Sequence, residues 1–137
     1  IARWPGRIKA GTGTNHVSAF WDFLPTCCEL AGVKPPPGID GLSYLPTLLG
    51  QPQRQQKHDY LYWEFHEQGK KQAVRMGNWK AVRLNVAKNP EAPLELYDLG
   101  TDLSEDEDVA ALHPDIVAQM QQIMRTARIP CEHWPWP

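Results

Sequence analysis

Apolar positions recur at two different periods along this chain, and the changes of period divide it into three blocks. In the first block, Leu24, Cys27, Cys28 and Ala31 fall at i, i+3, i+4 and i+7 within VSAFWDFLPTCCELAG. That spacing predicts one apolar helix face. Asp22 stands where it can cap the helix, Pro25 falls in the first turn, where a missing N–H does little harm, and Gly32 provides a stop. Ahead of it, IARWPG has the composition of a short apolar strand ended by a Pro-Gly turn, and KAGTGT that of a polar loop. VKPPPGIDG predicts a stiff extended loop, and SYLPTLLG a short helix or turn ending at Gly50.

From Asp59 the period shortens to that of strands. DYLYWEF, QAVRM, WKAVRL and LELYDL predict four strands joined by short connections, an antiparallel meander. In the first of them Tyr60, Tyr62 and Glu64 share one face, while Leu61, Trp63 and Phe65 share the other, more apolar one. WKAVRL alternates well, with Trp79, Ala81 and Arg83 on one face and Lys80, Val82 and Leu84 on the other. Trp79, beside the Gly77-Asn78 turn, is expected to pack in the core or on the sheet. The third block returns to a helical period. Pro114 starts a helix whose stripe is Ile116, Met120, Ile123, Met124 and Ala127, suited to packing on the sheet. The acidic run SEDEDVA reads as a solvated helix entrance, and the Pro-rich CEHWPWP as a tail lying extended against the surface.

Composition narrows the function classes. A net charge of −2 over 137 residues gives no reason to expect nucleic acid or acidic lipid. No apolar run approaches the roughly 20 residues of a membrane span. The three cysteines, Cys27, Cys28 and Cys131, leave one unpaired and form no CxxC pair, so a disulfide scaffold and a zinc site are not expected. Cys27 and Cys28 read as small buried hydrophobes. His16, His58, His113 and His133 are scattered without ligand spacing, and SEDEDVA lacks the spaced ligands and glycine of a calcium loop. Ile1 opens without Met, and IARWPGRI reads as the continuation of something, so the chain is expected to be a fragment or a processed piece.

The order of these segments resembles the C-terminal third of type I, formylglycine-dependent sulfatases. The resemblance is carried by IARWPGRIKAGT, VSAFWDFLPTCCELAGV, PPPGIDGLSYLPTLLG, DYLYWEFHEQG, AVRMGNWKAVR and LELYDLGTDLSEDEDVAALHPDIV. It covers the chain from Ile1 to about Met124 and is similar to the arylsulfatase and N-acetylgalactosamine-6-sulfatase type. One departure is Asp102-Leu103-Ser104-Glu105, where the family has Asp-Pro-x-Glu. The resemblance implies an α+β fold: a C-terminal four-stranded antiparallel sheet with a packed helix, preceded by the last strand and helix of an alkaline-phosphatase-like α/β domain. The expected organisation is 1–50 for the end of that domain, 51–58 for a linker, 59–128 for the sheet-and-helix subdomain and 129–137 for the tail.

The resemblance also implies a reaction: hydrolysis of sulfate esters of a sulfated sugar or aryl sulfate, in a periplasmic or secreted enzyme. In the family the nucleophile is a formylglycine made from Cys or Ser in Cys/Ser-x-Pro-Ser/Thr-Arg, and a calcium ion stabilises the anion. Neither Cys27 nor Cys28 is followed by x-Pro-x-Arg, so no catalytic residue, metal ligand or cofactor is assigned to this chain. Calcium and formylglycine are expected upstream, in the remainder of the catalytic domain, which is the expected partner. The chain alone is expected to be inactive, because the sulfuryl transition state would have neither nucleophile nor metal.

Within the family the C-terminal subdomain leans over the cleft, which singles out the polar turn HEQGKK. His66, Glu67, Lys70 and Lys71 are the candidate substrate-binding residues, since a sulfated sugar calls for cationic and hydrogen-bonding groups. A rival reading is a free-standing α+β module binding glycan or single-stranded nucleic acid. It would use Trp63, Lys71, Arg75, Trp79, Lys80 and Arg83 for stacking and charge. The alternation of these residues with apolar ones counts against it.

Overall fold

The computed structural model describes residues 1–136, in two compact units, Ile1–His58 and the part from Asp59 onward. In the first unit the predicted helix forms as α1 (Phe23–Leu30), preceded by a single 3-10 turn at Phe20–Asp22. Pro25 lies in its first turn and is buried, and Gly32 follows it at φ 68°, a backbone conformation that favours glycine. SYLPTLLG yields α2 (Leu45–Leu48), with Pro46 in its first turn. No strand forms at IARWPG; Trp4 O accepts from Arg7 and Ile8 N–H in a turn instead. A strand needs a neighbour to pair with, and this unit contains none.

The predicted apolar face of α1 is also only partly covered. Leu24 is exposed and Cys27 and Cys28 are half-buried, whereas Pro25 and Thr26 are the buried residues. Asp22 sits at the N-cap position, yet its side chain makes no cap bond to α1. Its carboxylate turns away from the helix and accepts from Ala19 N–H at 2.7 Å and Leu42 N–H at 2.8 Å. Thr26 completes the connection by donating to Asp22 O and accepting from Tyr44 N–H.

In the second unit all four strands form, as β1 (Leu61–Phe65), β2 (Lys71–Met76), β3 (Trp79–Arg83) and β4 (Leu94–Asp98), antiparallel in the order β1-β2-β3-β4. The β2–β3 turn is two residues long, with Gly77 at φ 59° in its first position. Glycine there relieves the steric cost that a side chain would meet. Helix α3 (Pro114–Thr126) starts at Pro114 and lays Met120 and Met124 onto Val74, Ala81, Leu94 and Leu96. These six form the core, and Trp79, half-buried, packs on it with its ring 4.7 Å from that of His113. The expected helix entrance at SEDEDVA is instead a loop followed by a 3-10 turn at Ala110–Leu112. Asp108 and Val109 use this loop to bond Leu96 on the outer edge of β4, which shields that edge from pairing with another chain.

The register fixes which face is covered. Tyr62 pairs with Val74, and Val74 with Ala81, so Tyr62, Glu64, Gln72, Trp79 and Arg83 lie on the helix-covered face. Trp63 and Phe65 lie on the other face and are exposed, at 37% and 45%. The more apolar face of β1 is therefore not the one under α3. The covered face is polar at this end, where Tyr62 donates to Glu64 and accepts from Gln72, and Gln72 faces Arg83. The same register splits the stacking surface of the rival reading. Trp79 and Arg83 turn toward α3, while Trp63, Lys71, Arg75 and Lys80 turn away.

Candidate functional site

The β1–β2 connection is the HEQGKK turn. Three successive residues, Gln68, Gly69 and Lys70, have φ of 51°, 85° and 59°. Only glycine adopts this region freely, so Gln68 and Lys70 are held there by their surroundings. The holding contacts come from the loop after β3. Gly69 O accepts from Ala87 N–H and Lys70 O from Val86 N–H, both at 3.0 Å, and the Val86 side chain is fully buried. A Cβ at Gly69 would lie 3.1 Å from Asn85 Oδ1. The tip is thus anchored to its own sheet.

Behind the tip a chain of polar groups runs along the covered face. Glu64 accepts from Tyr62 OH at 2.7 Å, Gln72 Nε2 donates to Tyr62 OH at 2.8 Å, and Gln72 Oε1 faces Arg83 at 3.4 Å. Burial and the bond to Glu64 push the Tyr62 phenol well above its ordinary pKa. Arg83, itself buried, donates to Pro90 O and Ala92 O and so holds the long β3–β4 loop. Glu64 is the junction of this chain with two further side chains, His66 and Arg128. His66 Nε2 lies 3.2 Å from its Oε2, and Arg128 Nε lies 2.9 Å from its Oε1.

The C-terminal tail reaches the same place. Arg128 Nη2 donates to Trp134 O at 2.8 Å, and Lys70 Nζ donates to Pro135 O at 2.8 Å. The His66 ring is flanked by Trp134 at 5.4 Å and by Trp136, edge-on, at 5.2 Å. Lys70 Nζ stands 5.5 Å from the Trp136 ring centroid, within cation–π range. The tail turns at Cys131–Trp134 instead of running extended, and Pro137, the last residue of the expected tail, lies outside the described residues. A groove of about 440 Å³ remains between hairpin and tail, lined by Glu64, Phe65, His66, Glu67, Arg128, Ile129, Cys131 and Trp134.

Of the four candidate residues, His66 and Lys70 come together around Trp136, and Glu67 lines the groove beside His66. Lys71 does not join them. It pairs with Phe65 on the open face, its amine 5.5 Å from that ring and 3.2 Å from Gln68 Oε1. Arg128 and the two tail tryptophans complete the cluster and were not singled out by the sequence. The only available signal was the density of tryptophan in CEHWPWP.

A second polar cluster lies within the first unit. Asp22 is 1% exposed, and His58 Nε2 lies 2.8 Å from its Oδ1. Burial lowers the pKa of the nearby His16, against an opposing pull from Asp22. All of Asp22's observed contacts hold backbone or His58 in place, which is a structural task.

The family model described as N-sulphoglucosamine sulphohydrolase, C-terminal, matches residues 1–129. An uncharacterized sulfatase of Schizosaccharomyces pombe is 31% identical over 129 residues, covering 88% of this chain and 23% of its own length. Among solved structures, Ps i-CgsB in complex with k-i-k-neocarrahexaose has a TM-score of 0.74 at 27% identity, over 90% of this chain and 27% of that one. BT4656, solved with its substrate D-glucosamine-2-N,6-O-disulfate, has a TM-score of 0.69 at 25% identity, over 91% of this chain and 26% of that one. The chain thus spans about a quarter of the length of each of these proteins.

Proposed function

Because this chain belongs to the sulfatase family, as its C-terminal region, we propose that it completes an enzyme hydrolysing sulfate esters of sulfated sugars. The observation that carries this reading is the match over residues 1–129, together with a similar structure whose substrate is a sulfated glucosamine. In this reading the remainder of the catalytic domain is the partner. The compartment is periplasmic or secreted, and no helix among the described residues is long and apolar enough to cross a membrane.

Calcium and formylglycine do not fit the residues of this chain. Among the described residues no group of three or more His, Cys, Asp or Glu could hold a metal ion. Cys27 and Cys28 lie within α1, followed by Glu29 and Leu30 where the formylglycine motif needs Pro and Arg. Both groups belong to the upstream portion of this reading, and no chemical step is routed through this chain. Its contribution is to the leaving group. His66, a hydrogen-bonding ring held by Glu64, faces the desulfated sugar, with Glu67 and Lys70 beside it, while Lys71 stands apart on the open face of the hairpin. Residues 1–50 then end the large domain, 51–58 link, and 59–128 form the subdomain that presents the tip.

The test is hydrolysis by the intact protein that contains this chain. D-glucosamine 6-sulfate and p-nitrophenyl sulfate are assayed for sulfate release. Turnover of either supports the reading; absence of sulfate release from both, in protein whose upstream nucleophile is converted to formylglycine, ends it.

A further inference from the structure

The tail from Pro130 onward lies beyond the residues that the sulfatase family model matches. It closes over the hairpin tip all the same, through Trp134 O, Pro135 O and the rings of Trp134 and Trp136. We propose that residues 130–136 form an autoinhibitory strap: it occupies Lys70 and the His66 ring, and an oxyanion that binds Lys70 displaces it. The proposal rests on the proposed function only for reading that oxyanion as a sulfate or carboxylate of a sugar; closure and release of the strap do not depend on it.

The two ends of the strap are held unequally. At its root Arg128 forms an ion pair with Glu64 and donates to Trp134 O, so that end is fastened to β1 through opposite charges. At the far end Lys70 gives its charge only a neutral carbonyl, Pro135 O at 2.8 Å, and the Trp136 ring at 5.5 Å. Among the described residues no carboxylate pairs with Lys70 or with its neighbour Lys71, whose amine meets the Gln68 amide oxygen and the Phe65 ring. An ammonium group binds an oxyanion more strongly than a neutral carbonyl, because attraction between full charges adds to the hydrogen bond. The exchange needs no rearrangement of the hairpin. Lys70 O is already fixed by Val86 N–H at 3.0 Å, and only the amine changes partner. While the strap is closed, the apparent affinity of the tip falls in proportion to the open fraction. On release Trp136, at the weakly held end, travels further than Trp134.

The test uses the intact protein that contains this chain, labelled with 5-fluorotryptophan, with Trp79 as the internal reference. Inorganic sulfate and D-glucuronate are titrated against sodium chloride at matched ionic strength, which reproduces the screening without the oxyanion. The Trp136 resonance is expected to move with at least one oxyanion, Trp134 by less, and neither with chloride. Which oxyanion acts tells a sulfate ligand from a carboxylate one. Lys70→Met removes the amine and should shift Trp136 without any ligand and abolish the response to both oxyanions. Trp136→Ala, read at Trp134, should lower the half-saturating oxyanion concentration about three-fold, the scale of one exposed cation–π contact. A response equal to that of chloride, or one that survives Lys70→Met, would overturn the strap. So would a half-saturating concentration that Trp136→Ala leaves unchanged or raises, which would make the tail part of the binding site and not its competitor. Sulfate release is read on the same protein, so the two readings fail separately. Strap release without hydrolysis removes the sulfatase reading and keeps the strap, and hydrolysis without strap release does the reverse.

Discussion

Arg128 and Glu64 meet at 2.9 Å, an ion pair that ties the chain leaving α3 to the end of β1. Both side chains are largely shielded, at 17% and 15% exposure, and Glu64 also accepts from Tyr62. Losing the carboxylate leaves the Tyr62 hydroxyl without its acceptor and Arg128 without its ion-pair partner. Glu64→Ala is therefore expected to cost about 1–3 kcal/mol in denaturant melts. A loss below about 0.5 kcal/mol would place the pair among exposed surface ion pairs, whose net contribution is small.

Asp22 gives a larger expected effect. Its carboxylate is buried and serves two backbone N–H groups and His58. Asp22→Ala strands these donors and should cost about 3–5 kcal/mol, whereas Asp22→Asn keeps one acceptor and should cost less. Equal melts for Asp22→Ala and the unaltered protein would show that the α1 region does not rely on it.

Alkaline pH should destabilise the second unit. The Tyr62 pKa is raised in the folded protein, by burial first and by Glu64 second, and Tyr97, bonded to Glu95, is raised to about 12. A raised pKa means that the folded state keeps a proton the unfolded state has lost. The stabilisation is complete below the unfolded value of 10.0 and is lost as pH climbs through the folded values. Tyr62→Phe should flatten this alkaline decline, read from melting temperature against pH. Tyrosinate absorbance that titrates fully near pH 10 would contradict it.

His66→Ala separates leaving-group contact from chemistry. In the intact enzyme it should raise KM for the sulfated sugar and leave p-nitrophenyl sulfate nearly unchanged, since the small substrate does not reach the tip. Equal losses on both would move His66 to the reacting centre, and no loss on either would leave the hairpin a structural element.

Much of the second unit was legible in the sequence because it is built from local periodicity. The four strands, the Gly77 turn and the Met120–Met124 stripe all follow from spacing that each segment carries alone. Family membership was legible for a related reason: many short motifs in a fixed order survive even when each is weak. What only the tertiary structure decided was which face of each element is covered and what the polar groups bind. Alternation defines two faces of β1 but does not say which one meets α3. The more apolar face, with Trp63 and Phe65, stayed open, while the face toward α3 carries Glu64, Tyr62, Gln72 and Arg83 in a chain of polar contacts. Asp22 looked like a cap, yet it holds Leu42 and His58, 20 and 36 residues away. Tail and tip are likewise 65 residues apart at the Lys70–Pro135 bond. Hydrogen bonds and ring contacts over such separations depend on where folding brings the backbone, and no local pattern encodes that.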